Sequence, residues 1–454
     1  MNAARLDCLC PEEYSLVTDL YQLTMSACYF GEEIADKPAS FELFTRKLPE
    51  HFGYIVAMGL PQALDYLEHL AFSDEQVQAL RDTGLFDHAT DAFWDALANC
   101  RFEGDVWALP EGTVVFPNEP LLRVEAPLWQ AQLVETFLLN TLNYQTLIAT
   151  RSARMRDVVG EEATLLEFGT RRAFSPQASV WAARAAIAGG MDSTSNVLGA
   201  LQCGKQPSGT MAHALVMAFE AERGGEQAAF TAFQKYFPNA PLLIDTYDTV
   251  AAAKVLAERI TSEDFPVKGV RLDSGDLVEL SKKVRSLLPD VSIFGSGDLD
   301  EFELVRLKRE GACIDGFGIG TKLVTGKPVN GVYKIVEMDG VPTMKVSSSK
   351  VTYPGRKQIF RTFDADGKFV GDRLALVDET PKASETPILQ PMMKVGKRLG
   401  ASEELDAIAQ RVRTAVQSLP DELRQVEDPA NNNLKISEAL QTLTEQTQKR
   451  VSTA

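Results

Sequence analysis

The sequence predicts an α/β protein: an irregular, roughly seven-stranded (β/α) barrel with a second α+β domain built from the N-terminal and post-barrel segments. Three observations carry this. Between residues 163 and 320 short apolar runs alternate with helical segments in a repeating β/α rhythm. The stretch before it mixes apolar-periodic helices with isolated extended runs, and two hairpin-like pairs come after it.

Taken in order, residues 1–150 hold helical periodicity around 61–70 and 129–142, with extended runs at 40–44 and 113–116 bounded by Pro and Gly. An α+β domain is expected there. The barrel strands are expected at 164–168, 190–193, 208–211, 241–245, 267–273, 291–294 and 314–318, within a catalytic domain spanning 151–330. Residues 331–400 turn at Asp339-Gly340 and Asp366-Gly367 and read as a β-rich return to the first domain. A Pro-interrupted stretch, 380–391, then leads to a polar helical tail over 401–454. No repeat of solenoid period occurs.

Composition narrows the function classes. A chain of 454 residues, 45% hydrophobic, can bury a large core, and 46 basic against 63 acidic residues give a net charge of −17. That balance argues against general nucleic-acid or anionic-membrane binding, so an anionic substrate needs a local basic pocket. The first 16 residues carry Asp7, Glu12 and Glu13 without an apolar core, and no run is long enough to span a bilayer. A cytoplasmic location is the expectation. Six cysteines at scattered positions form neither a disulfide framework nor a zinc pattern; Cys8-Leu9-Cys10 lacks the usual spacer, and Cys203 and Cys313 suggest no role.

In a (β/α) barrel chemistry collects where strands end, and here nearly every ending carries a group that binds something. Of 4 histidines, only His213 lies in this region, closing the run Gly209-Thr210-Met211-Ala212-His213. It suits catalysis or a structural imidazole. The endings Gly295-Ser296-Gly297-Asp298 and Gly316-Phe317-Gly318-Ile319-Gly320-Thr321 precede helices, an arrangement that cradles phosphate or simply turns the chain. Asp273 and Asp298 suit ribose hydroxyls, magnesium or helix capping. Arg271 offers a planar fork to a carboxylate or phosphate, or a surface ion pair. Lys322 would suit a Schiff base, but nothing nearby explains a lowered pKa.

Together these strings resemble the nicotinate phosphoribosyltransferase family. The likeness runs from Tyr14 to about Arg398 and rests on seven ordered strings. They are Thr18-Asp19-Leu20-Tyr21-Gln22-Leu23-Thr24-Met25, Phe41-Glu42-Leu43-Phe44, Pro110-Glu111-Gly112-Thr113, Glu167-Phe168-Gly169-Thr170-Arg171-Arg172, the run ending at His213, Arg271-Leu272-Asp273-Ser274-Gly275-Asp276 and Pro354-Gly355-Arg356-Lys357-Gln358. The resemblance implies a type II phosphoribosyltransferase, a homodimer with active sites at the subunit interface. It also implies that nicotinate and phosphoribosyl pyrophosphate give nicotinate mononucleotide and pyrophosphate, with hydrolysis of ATP, as co-substrate with Mg2+, coupled through a phosphohistidine.

Carried onto this chain, the resemblance makes His213 the phosphorylated residue and Asp245 its carboxylate partner, with Asp273 catalytic. Phe168 and Tyr21 would sandwich the pyridine ring, Tyr21 coming from the other subunit. Arg171 and Arg271 would meet the ribosyl phosphate or the nicotinate carboxylate. Gly297, Asp298, Gly318, Gly320 and Thr321 would contact substrate, with Asp273 and Asp298 holding magnesium, and Lys350, Arg356 and Lys357 would serve polyphosphate. Ser195 stands where nicotinamide-using relatives place an acid, and a neutral hydroxyl favours the acidic substrate. The other readings are a nicotinamide phosphoribosyltransferase, the shorter quinolinate enzyme, and a non-catalytic nucleotide sensor with the same pocket.

Overall fold

A computed structural model describes residues 11–222, 224–263, 265–347 and 350–453. The N-terminal part opens with helix α1 (Leu20–Gly31), followed by strands β1 (Pro38–Thr45), β2 (Asp105–Ala108) and β3 (Pro120–Pro127). Helix α2 (Glu135–Val159) comes next. It runs unbroken across residue 150 and serves two cores. Phe137, Leu138, Leu142 and Leu147 pack with the antiparallel sheet. Ile148, Ala149, Ala153 and Met155 join the core of the parallel sheet.

The β/α region follows as β4 (Thr164–Glu167), α3 (Pro176–Ala188), β5 (Ser193–Thr194), α4 (His213–Ala221), α5 (Gly225–Tyr236), β6 (Leu242–Leu243), α6 (Thr249–Glu263), β7 (Gly269–Leu272), α7 (Leu277–Leu287), β8 (Ser292–Ser296), α8 (Glu301–Arg309) and β9 (Gly316–Ile319). Among the described residues, six of these strands form one parallel sheet in the order β5-β4-β9-β8-β7-β6. The strand expected at 208–211 is absent. That segment instead bridges the two sheet edges: the Ser208 N–H donates to the Thr194 carbonyl (2.9 Å), and the Thr210 hydroxyl to the Pro241 carbonyl (2.7 Å). Pro207 removes one donor at its start and Gly209 weakens β preference, so pairing stops at two contacts.

Beyond it, β10 (Gly331–Met338) and β11 (Val341–Pro342) pair across Asp339-Gly340, while β12 (Lys357–Phe363) and β13 (Phe369–Leu376) pair across Asp366-Gly367, as the turn residues predict. Strands β14 (Glu385–Pro387), β15 (Gln390–Lys394) and β16 (Lys397–Arg398) lead to helix α9 (Leu405–Ser418), strand β17 (Lys435–Ile436) and helix α10 (Glu438–Thr453). Among the described residues, one antiparallel sheet joins strands from both ends of the chain in the order β11-β10-β1-β3-β2-β15-β16, and a smaller sheet reads β14-β12-β13-β17. The tail is not wholly polar. Ile408, Val412 and Val416, spaced four apart, put one face of α9 into the core of the parallel sheet. No described helix is long and apolar enough to cross a membrane.

Candidate active site

The carboxyl ends of β4 to β9 and the 208–211 segment bring most of the singled-out residues together. His213 is the first residue of α4, and its Nδ1 lies 3.1 Å from the Thr246 hydroxyl. Thr246 follows Asp245 in the turn after β6. The expected partner, Asp245, is therefore next to the contact but does not make it.

Asp245 is buried and ties neighbouring turns together. Its Oδ2 accepts from the Asp273 N–H (2.9 Å) and the Ser274 hydroxyl (2.6 Å), while its Oδ1 is buried without a hydrogen-bond partner. Asp273 continues the chain: its Oδ1 accepts from the Ser296 hydroxyl at 2.5 Å. Three strand ends are thus linked by carboxylates. Helix capping is done by other acids. Asp276 accepts from the Val278 and Glu279 N–H groups and Asp300 from that of Glu303, leaving Asp273 and Asp298 outside that role.

Gly297 has φ +96, and a Cβ there would stand 2.2 Å from the Asp273 carbonyl oxygen, so only glycine lets the two turns meet. Asp298 follows with φ 49 and is exposed. The second glycine run has a different cause. Gly316 and Gly318 lie two apart on β9, on one face, and a Cβ at these positions would meet the Phe294 ring at 2.5 Å and the Phe168 ring at 2.4 Å. These glycines accommodate rings. The helix after Gly320 is a single turn, Thr321–Val324, so little dipole gathers at that end, and the phosphate cradle expected there lacks its main source of attraction.

Phe168 forms part of the wall of a cavity of about 340 Å³ lined by Thr164, Leu166, Arg271, Phe294, Gly318 and the 207–210 and 239–241 segments. Thr164, Leu166 and Phe168 alternate inward along β4, while Leu165 and Glu167 face the other way and are buried. Arg271 is half-buried and its Nε has no hydrogen-bond partner. Burial pulls its pKa down, Asp273 and Asp245 push it up, and the neighbouring Arg171 pulls it down again. Two guanidinium groups thus share one region, and among the described residues neither forms an ion pair. Burial also raises the Glu167 carboxyl, against donors from Thr194 and the Gly169 N–H. Ser195, half-buried, is held by its N–H on the Glu167 carbonyl (2.9 Å).

Four expectations fall elsewhere. Tyr21 stands on α1 with its ring half-exposed and its hydroxyl 3.5 Å from Glu135, in the N-terminal part. Lys357, expected to serve polyphosphate, is buried, 2.9 Å from Glu42, and donates to the Tyr353 and Gly355 carbonyls, so its charge is balanced inside the fold. Arg356 is shared between Glu125 and Glu337, each at 3.2 Å. The Lys350 side chain lies outside the described residues. Among the described residues no group of three or more His, Cys, Asp or Glu could hold a metal ion.

Sequence reasoning missed the individual contacts of Thr246 and Ser296, although Ser296 sits inside a quoted ending and Thr246 directly follows Asp245.

Family models described as the nicotinate phosphoribosyltransferase N-terminal domain, the nicotinate phosphoribosyltransferase family and the nicotinate phosphoribosyltransferase C-terminal domain match residues 16–143, 163–368 and 382–444. The chain is 42% identical to a nicotinate phosphoribosyltransferase of Mycobacterium tuberculosis, over 91% of this chain and 89% of that protein. With the Bacillus subtilis nicotinate phosphoribosyltransferase the identity is 45%, over 81% of this chain and 77% of that one. The crystal structure of human nicotinic acid phosphoribosyltransferase superposes with a TM-score of 0.83 at 30% identity, covering 94% of this chain and 99% of that one.

Proposed function

The chain belongs to the nicotinate phosphoribosyltransferase family and is an enzyme of that activity, and we propose a division of its reaction among the residues gathered at the strand ends. The observation that carries the proposal is the convergence of His213, the Asp245–Asp273–Ser296 chain and two unpaired arginines beside a cavity walled by Phe168. The parallel sheet together with the bridging 208–211 segment makes up the irregular barrel that presents them.

With Nδ1–H donating to Thr246, the His213 Nε2 keeps its lone pair and attacks the γ-phosphoryl group of ATP; an N–P bond forms as the bond to the bridging oxygen breaks and ADP leaves. The unpartnered Asp245 Oδ1 supplies the negative charge that favours the cationic phosphoimidazole. In the glycosyl step the bond from the ribose anomeric carbon to pyrophosphate breaks and the pyridine nitrogen bonds to that carbon, through a state of oxocarbenium character. Phe168 stacks on the pyridine ring, Arg271 and Arg171 meet the nicotinate carboxylate and the ribosyl phosphate, and Ser195 leaves the carboxylate unopposed by an acid. Asp273, with its second oxygen free of protein donors, and the exposed Asp298 fit a magnesium ion that binds through one or two carboxylates and substrate phosphates. Such an ion supplies charge neutralisation at the phosphates.

Tyr21 completes the pyridine site from a second copy of the chain. Leu20, Tyr21, Phe174, Val197, Leu198 and Leu201 are all large apolar side chains left exposed in a single chain, which supports a dimer.

The test is pyrophosphate release with nicotinate and with nicotinamide, with and without ATP, alongside transfer of label from γ-labelled ATP. Acid-specific turnover stimulated by ATP, with acid-labile label lost in His213→Ala, is expected. Label that persists in His213→Ala would remove the phosphohistidine. Turnover of the amide alone selects the nicotinamide reading, and binding without turnover the sensor.

A further inference from the structure

We infer that Glu167 is a further positioning residue for the pyridine substrate, tying the turn that carries Phe168 to the strand end that carries Ser195; the inference rests on those two residues forming the pyridine site. Strands β4 and β5 are parallel neighbours with Glu167 opposite Thr194, so Phe168 and Ser195 leave the sheet side by side. The Glu167 carboxylate joins the two exits. One of its oxygens accepts the Thr194 hydroxyl and the other the Gly169 N–H, while its backbone carbonyl accepts the Ser195 N–H at 2.9 Å. Phe168 is thus bracketed by two residues that this carboxylate joins, and Ser195 follows the threonine it holds.

The surroundings suit an acceptor with two oxygens. Glu167 is 1% exposed, and burial raises its carboxyl against the two donors, which lower it. The Thr194 oxygen already accepts the Asn196 N–H at 2.9 Å, which leaves its proton for the carboxylate. Asn196 accepts from the Gly199 N–H (2.9 Å) and donates to the Ser179 hydroxyl (3.1 Å), so the far side of Ser195 is fixed on α3. On the other exit the Phe168 N–H donates to the Ile319 carbonyl (2.7 Å), holding that backbone on β9. A Cβ at Gly169 would stand 2.8 Å from a Glu167 carboxylate oxygen and 2.4 Å from Val324, so glycine lets the chain fold over the carboxylate. A glutamine at 167 must aim its amide at the Gly169 N–H, where two donors oppose, or at the Thr194 hydroxyl, whose proton then has no acceptor. Either way one donor in a buried cluster loses its partner.

The experiment measures kcat/KM for nicotinate, the KM for phosphoribosyl pyrophosphate and ATP hydrolysis without nicotinate in full-length Glu167→Gln, Thr194→Val and Thr194→Ser. Glu167→Gln and Thr194→Val are expected to lower kcat/KM for nicotinate about tenfold, the size of one lost charge-assisted bond, with the other two readings within about twofold of the parent. Thr194→Ser keeps the hydroxyl and is expected to restore the parent value. Loss of folded enzyme lowers turnover of nicotinate and of ATP together, so the ratio of the two separates positioning from stability. A ratio unchanged in both Glu167→Gln and Thr194→Val would overturn the inference, as would Thr194→Ser behaving like Thr194→Val. Phe168→Ala, measured alongside, keeps the two levels apart. A lowered ratio there, with none in Glu167→Gln and Thr194→Val, removes the role of Glu167 alone, whereas no change in any variant removes the pyridine site itself.

Discussion

Gly318→Ala tests whether the Phe168 ring is a working wall of the site. The added methyl would sit 2.4 Å and 2.5 Å from two ring carbons, whereas ordinary contact begins at 3.4 Å. A close-packed wall cannot absorb that overlap, so the ring must retreat by about 1 Å. Overpacking of this size costs about 1–3 kcal/mol of stability. The larger effect is on alignment: a displacement of about 1 Å in a positioning group lowers a rate by about 10²-fold, or about 2.7 kcal/mol of transition-state stabilisation. Pyrophosphate release with nicotinate varied should therefore show kcat/KM reduced by about that factor, while ATP hydrolysis without nicotinate is largely kept, because His213 and Thr246 lie outside the clash. Gly31→Ala, at a position with nothing within 4 Å, serves as the control. A kcat/KM for Gly318→Ala within twofold of the parent would refute the stacking role of Phe168.

Ser195→Asp should weaken nicotinate use far more than ATP hydrolysis, since an acid repels the substrate carboxylate; equal losses in both would remove this explanation of specificity. Lys357→Met leaves Glu42 buried without its partner and should cost about 3–5 kcal/mol in urea unfolding, with the KM for phosphoribosyl pyrophosphate unchanged in the folded enzyme. A raised KM at unchanged stability would restore a substrate role for that lysine. Glu119 is fully buried, and burial followed by the neighbouring Asp372 holds its carboxyl well above the usual range. A folded-state value above the unfolded one gives stability that is present below about 4.5 and lost as pH rises through the folded value. The drop in Tm from pH 5 to pH 8 should therefore be smaller in Glu119→Gln than in the parent; parallel Tm curves would contradict that.

Short-range patterns were legible where local chemistry decides the outcome. The hairpins at Asp339-Gly340 and Asp366-Gly367 formed as read, because αL-tolerant residues set the turn before any packing occurs. The strand ends were legible too, since polar strings closing apolar runs mark where a parallel sheet exposes its chemistry. Pairings were not. That His213 would meet Thr246 and not Asp245, or that Asp276 and Asp300 would take the helix caps, depends on rotamers and turn angles that residue types leave open. For Gly316 and Gly318 residue type leaves a phosphate cradle and a plain turn both open, and the rings lying against them become visible only in the fold.

By itself the sequence determined the family and the β/α rhythm, because these follow from ordered strings and from periodicity. The tertiary structure decided which charges remain available. It buried Lys357 against Glu42 and left the Arg271 Nε without a hydrogen-bond partner. The physical reason is that the energy of a charge depends on its neighbours and its distance from water, and folding sets both.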